Sequence, residues 1–141
     1  MGTRCITVVE DEDGTELCRI YRQFDGYPEV HGKQITEFLS RGNIEHMLGI
    51  DDEENFLGMQ DVAASLVAFL KSYTEPTVLR HEPTAGWHPP ISGGSRIQLV
   101  PIGTHDVGEE YIYTVSFQGV GKPPLVRVVN TYTGEVNVLL E

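Results

Sequence analysis

The segment "YRQFDGYPEVHG", residues 21–32, gathers the side chains of this chain best suited to hold an anion beside a flat polar ring. Arg22 offers a planar fork of N–H donors that matches phosphate or carboxylate, and Tyr21 and Tyr27 each offer an aromatic face with a polar tip. Asp25-Gly26 has turn chemistry, and Pro28 biases Tyr27 to an extended backbone, which fixes where its ring points. His31 titrates near neutrality, and Lys33 adds a cation where a helix is expected to begin and to present its first amides. Later in the chain, Trp87 and His88 sit in the loop "EPTAGWHPPISGGS" and supply a second stacking surface and a polar edge.

Other candidate chemistries fail on spacing. His81-Glu82 runs into Pro83 with no second His four positions on, so the helical zinc-protease arrangement is absent. Cys5 and Cys18 alone make neither a zinc site nor a disulfide framework. "GVGKPP" lacks the Ser or Thr after Lys122 that a phosphate loop needs, and its prolines prevent the following helix. His31, His46 and His105 have suitable intrinsic pKa values, but the sequence places no nucleophile beside them. No catalytic residue, metal site or cofactor is therefore assigned.

The elements that must position these residues follow from hydrophobic pattern. Residues 5–10 and 16–24 are β-rich runs joined by "DEDGT", which reads as a hairpin. A three-residue loop with a bulge places Val8 opposite Cys18, Ile6 opposite Ile20 and Arg4 opposite Arg22. Two guanidinium groups then become neighbours on an inward face that also holds Phe24, and like charges across a strand pair need a counter-charge. Asp25, Glu29 or an acid of the mid-chain loop can supply it, and so can an anion from outside.

Ile35, Phe38 and Leu39 have helical spacing and end at Arg41-Gly42, which predicts a short first helix. Residues 42–58 read as an acidic loop with a helical turn. Val62, Ala63, Leu66, Val67 and Leu70 recur at three and four, which predicts a second, stronger helix. Beyond Pro76 come short β-rich runs near 77–81, 96–102, 110–118, 125–130 and 135–140, the last two paired across "TYTG". The order predicts one α+β domain over residues 1–141: a mainly antiparallel sheet, N-terminal hairpin plus C-terminal strands, with two helices packed on one face.

The formal charge of −11 and the lack of a basic stripe argue against duplex nucleic acid as a partner. The N-terminus has the pattern of neither a signal peptide nor a membrane span, which predicts a cytoplasmic protein with no membrane partner.

The opening "MGTRCITVVED", with Tyr21, Arg22, Asp25, Gly26, Tyr27 and Pro28 and the helix "DVAASLVAFL", resembles a group of small bacteriophage and prophage proteins. Those begin Met-Gly-Thr-Arg and carry Tyr-Arg-x-x-Asp-Gly-Tyr-Pro before a helix; the likeness covers about the first half of the chain. It implies a phage setting, in the host cytoplasm, and no particular reaction. Small phage proteins of counter-defence type capture nucleotide immune signals of the host. The expected function is thus a non-enzymatic protein that sequesters a phosphorylated nucleotide-like ligand, with a site that can span copies in a homo-oligomer. Arg4 and Arg22 would hold phosphate, Tyr21, Tyr27 and Trp87 a base or ribose, and Asp25 would orient an arginine. Two alternatives remain: a phosphodiesterase using His31 or His88 in the same pocket, and an acidic inhibitor of a basic host protein.

Overall fold

A computed structural model describes residues 2–72 and 96–141. The strand expected at 77–81, and the site candidates Trp87 and His88, lie outside the described residues.

Strands β1 (Arg4–Glu10) and β2 (Glu16–Arg22) form the expected hairpin, and its turn is organised by one side chain. Asp11 Oδ1 accepts from the backbone N–H of Asp13 at 2.8 Å and of Thr15 at 2.9 Å, and Gly14 supplies φ +85°. The register differs from the expected one. A bulge between Val9 and Glu10 sets Val9 opposite Cys18, Thr7 opposite Ile20 and Cys5 opposite Arg22. A one-residue slip exchanges the faces of every side chain, so Arg4 does not lie across from Arg22. β2 also stops at Arg22, leaving Phe24 exposed beyond the sheet rather than in its inward row.

After a π-helical turn at Pro28–Gly32 comes α1 (Lys33–Leu39), and the segment between the helices is paired rather than helical. There β3 (Ile44–Glu45) and β4 (Phe56–Leu57) form a short parallel ladder. Helix α2 (Gly58–Ser72) buries Met59, Val62, Leu66 and Leu70, the stripe predicted from spacing. Its start is tied to the hairpin loop: Glu12 Oε1 accepts from the N–H of Met59 at 2.9 Å, and Asp61 accepts from that of Leu57 at 2.8 Å.

The remaining strands are β5 (Ile97–Val100), β6 (Glu109–Ser116), β7 (Leu125–Asn130) and β8 (Val136–Leu140). The six-stranded sheet runs β5-β2-β1-β6-β7-β8, antiparallel throughout except for the parallel pair β1–β6. With two α-helices and a mainly antiparallel sheet among the described residues, the protein is an α+β fold. β1 is central, and Cys5, Ile6, Thr7, Val8 and Val9 are all buried, which explains why it reads as a nearly continuous apolar run. Ile35 and Leu39 of α1, the α2 stripe, Val9, Ile20, Val115 and Val126 close one core. Among the described residues no helix is long and apolar enough to cross a membrane.

Candidate functional site

Segment 21–32 turns its polar chemistry inward. Arg22 is 1% exposed, and among the described residues its guanidinium meets three neutral acceptors. Nε donates to the Phe24 carbonyl at 2.6 Å, and Nη1 donates to Gln34 Oε1 at 2.6 Å and to His31 Nδ1 at 3.1 Å. Because a guanidinium can only donate, Nδ1 must be the unprotonated nitrogen of His31. The proton of the neutral ring then sits on Nε2, which donates to Thr7 Oγ1 at 2.8 Å. Burial, followed by the Arg22 charge, holds the His31 pKa well below the ordinary value. The ring also stands edge-on to Tyr113, with centroids 4.7 Å apart.

The turn between β2 and α1 is locked by backbone contacts. Gly26 donates to the Thr3 carbonyl at 2.8 Å and accepts from the Tyr113 hydroxyl at 2.7 Å. A Cβ there would lie 2.8 Å from the Cys5 Cβ, so only glycine fits against the central strand. Asp25 takes φ 61°, and Tyr27 is extended at φ −78°, ψ 158°, as its position before Pro28 requires. The Tyr27 carbonyl accepts from Val30 and His31, and α1 has seven residues, so the expected anion cradle at the helix start is replaced by a closed turn.

These contacts correct the expected pairing of arginines. Arg22 points into the core, while Arg4 is half-buried at the start of β1 with its Nη1 against Gly108. Neither Asp25 nor Glu29 forms an ion pair with Arg22 among the described residues, where the ion pairs are Arg19–Glu16 and His105–Asp106. Lys33 is exposed, and Asp25 and Tyr27 are half-buried.

One candidate does reach an open cavity. Tyr21 lines a hollow of about 250 Å³ with Gln23, Lys71, Arg96, Ile97 and Gln98. It sits where the end of β2, the last turn of α2 and the first residues of β5 meet. Gln98 pairs with Tyr21 across the ladder, so the two side chains share a sheet face. Lys71 Nζ donates to the Ile97 carbonyl at 3.0 Å, which steadies one of the two cations. Among the described residues the lining contains two cations, two amides and a phenol, and no carboxylate. That set can hold an anion and satisfy hydroxyl or ring-edge groups beside it. Gln23, Lys71, Arg96 and Gln98 were not singled out in the sequence; Lys71 lies on α2, Gln98 on β5, Gln23 just after β2 and Arg96 just before β5, and no local motif links them. A larger hollow of about 640 Å³ is lined by Asp52, Glu53, Glu54 and Asp61 with Phe38 and Arg41, a charge balance that repels anions.

Burial pushes the Cys5 thiol up to about 12, and Cys18, half-buried beside Glu16, is also raised. Neither is poised as a nucleophile. Among the described residues no group of three His, Cys, Asp or Glu side chains is arranged to hold a metal. Compared with protein-family models, with curated proteins and with solved structures, the chain matches none.

Proposed function

We propose that this is a non-enzymatic binding protein that sequesters a phosphorylated, nucleotide-like ligand in the hollow formed by Tyr21, Gln23, Lys71, Arg96 and Gln98. The observation that carries the reading is that lining: among the described residues it holds two cations and no acid, in a chain whose net charge is −11. Long-range attraction of an anion by such a chain is poor, so a local concentration of positive charge is what binding requires. Lys71 and Arg96 take the phosphate, while Tyr21 and the two amides contact ribose or base.

Capture is favoured over cleavage because His31, the described one of the two histidines a phosphodiesterase would use here, has both ring nitrogens bonded inside the core. The likeness to phage proteins adds a biological direction: the ligand is an immune signal of the cyclic nucleotide or cyclic ADP-ribose class, and its capture blunts host defence.

The test is calorimetric titration with cyclic AMP, cyclic di-AMP and cyclic ADP-ribose, followed by heat denaturation and chromatography of the released compound. At least one compound binds and is recovered intact, and Arg96→Ala and Tyr21→Ala weaken it at least about tenfold without changing the melting temperature. Altered products would establish catalysis instead, and binding that survives both substitutions would move the site elsewhere.

A further inference from the structure

The cationic hollow lies beside β5, at one edge of the six-stranded sheet, and the opposite edge is β8. Among the described residues no strand pairs with β8 on its outer side. The backbone N–H of Asn130 donates to the Glu135 carbonyl at 2.9 Å, and bonded pairs alternate along an antiparallel ladder. Asn137 therefore bonds toward Val128 of β7, while Val136 and Val138 turn their N–H and C=O groups outward. The side chains of the same two residues are 56% and 50% exposed. The register shift in this ladder falls beyond Val138, which leaves residues 136–138 regular.

Such an edge accepts another strand unless it is guarded, and lysine, proline or an inward charge is the common guard. The run Val136–Leu140 contains none of these. Its charges stand at its two ends, on the exposed Glu135 and Glu141.

We propose that β8 is a docking edge for an extended segment of a partner protein, apolar at alternate positions and basic at both ends, which adds a strand to the sheet. Charge selects this occupant over a second copy. The antiparallel register that pairs the whole of Val136–Leu140 with itself sets Glu135 opposite Glu141 at both ends, and like charges facing across strands destabilise the pair. The same two carboxylates attract Lys or Arg at the ends of a foreign strand. Arg127, exposed and opposite Val138 in β7, disfavours a cation in its middle. Backbone bonds supply the affinity, Val136 and Val138 the apolar contact, and the terminal charges the choice of partner.

The full chain is titrated by fluorescence anisotropy with the labelled peptide Lys-Val-Thr-Val-Thr-Val-Lys and with the same peptide carrying Glu at both ends. A third probe is the Lys peptide N-methylated at every Val and Thr, which keeps its charge but cannot join a ladder. The Lys peptide binds at least about tenfold more tightly than the Glu peptide, and N-methylation abolishes binding. Val136→Pro removes an outward N–H without touching the bonds to β7, and weakens the Lys peptide at least about tenfold with an unchanged circular dichroism spectrum. Glu135→Lys combined with Glu141→Lys reverses the preference between the two peptides. Failure of the Lys peptide to bind, or equal binding of its N-methylated form, overturns the docking edge. Equal affinities for the Lys and Glu peptides overturn the basic partner. A dimer in sedimentation equilibrium that Val136→Pro dissociates makes a second copy the occupant and overturns the choice as well.

Discussion

Inside the core the guanidinium of Arg22 donates to Nδ1 of His31 across 3.1 Å, and the far side of the imidazole ring is bonded to Thr7 at 2.8 Å. Strand β2, the turn before α1 and the central strand β1 are thereby fastened through one neutral histidine. The arrangement tolerates no proton on Nδ1, because an N–H there would face an N–H of Arg22.

Stability falls with acid for this reason. The folded His31 pKa lies well below 6.5, so the unfolded chain takes up a proton as pH drops through that value while the folded chain does not. The contribution is fully present above the unfolded pKa and is lost as pH falls, with a slope of up to about 1.4 kcal/mol per pH unit. Urea unfolding at about pH 7.5, 6.5 and 5.5 measures it, within a window above the ordinary carboxylate range. In His31→Gln the slope flattens in that window, and an unchanged slope would assign the effect to another group.

Removing the buried cation costs more than removing its half-buried counterpart. Arg22→Met removes the donor that reaches Gln34, His31 and the Phe24 carbonyl in a buried site, and destabilises by about 3 kcal/mol or more. Arg4→Met, at a half-buried edge position, costs under about 1 kcal/mol. Denaturant midpoints for the pair test this difference. Equal losses would mean that the two arginines do equivalent work.

Two glycines separate crowding from backbone strain. A Cβ at position 26 meets Cys5 at 2.8 Å and the Thr3 carbonyl at 2.9 Å, so Gly26→Ala must move the central strand and lowers stability by about 3 kcal/mol. At Gly14, with φ +85° and nothing within 4 Å, alanine costs only about 1 to 2 kcal/mol of left-handed strain. Thermal melts of both variants give the comparison, and a larger loss at Gly14 would contradict it.

The thiols differ in access. Cys5 is wholly buried with its pKa near 12, and Cys18 is half-buried, so Ellman's reagent titrates one thiol in the native protein and both in denaturant. Cys18→Ser removes the native reaction. Rapid modification of Cys5 in the folded protein would show that the centre of the sheet opens readily.

The sequence by itself determined the elements whose signals are local. Val62, Leu66 and Leu70 mark α2 because a helix repeats every 3.6 residues. Asp11 and Gly14 mark the hairpin because turn geometry depends on a few side chains, and Pro28 fixes Tyr27 through a clash with its nearest neighbour. Tertiary structure alone decided that Arg4 and Arg22 occupy different faces. A bulge at Val9 shifts the ladder by one residue, and in a strand that single step turns Arg4 to the face opposite Arg22, which stays inward beside Ile20. It also decided that Tyr21, Lys71 and Arg96 meet, since side chains brought together from β2, α2 and the residue before β5 leave no spacing along the chain that could announce them.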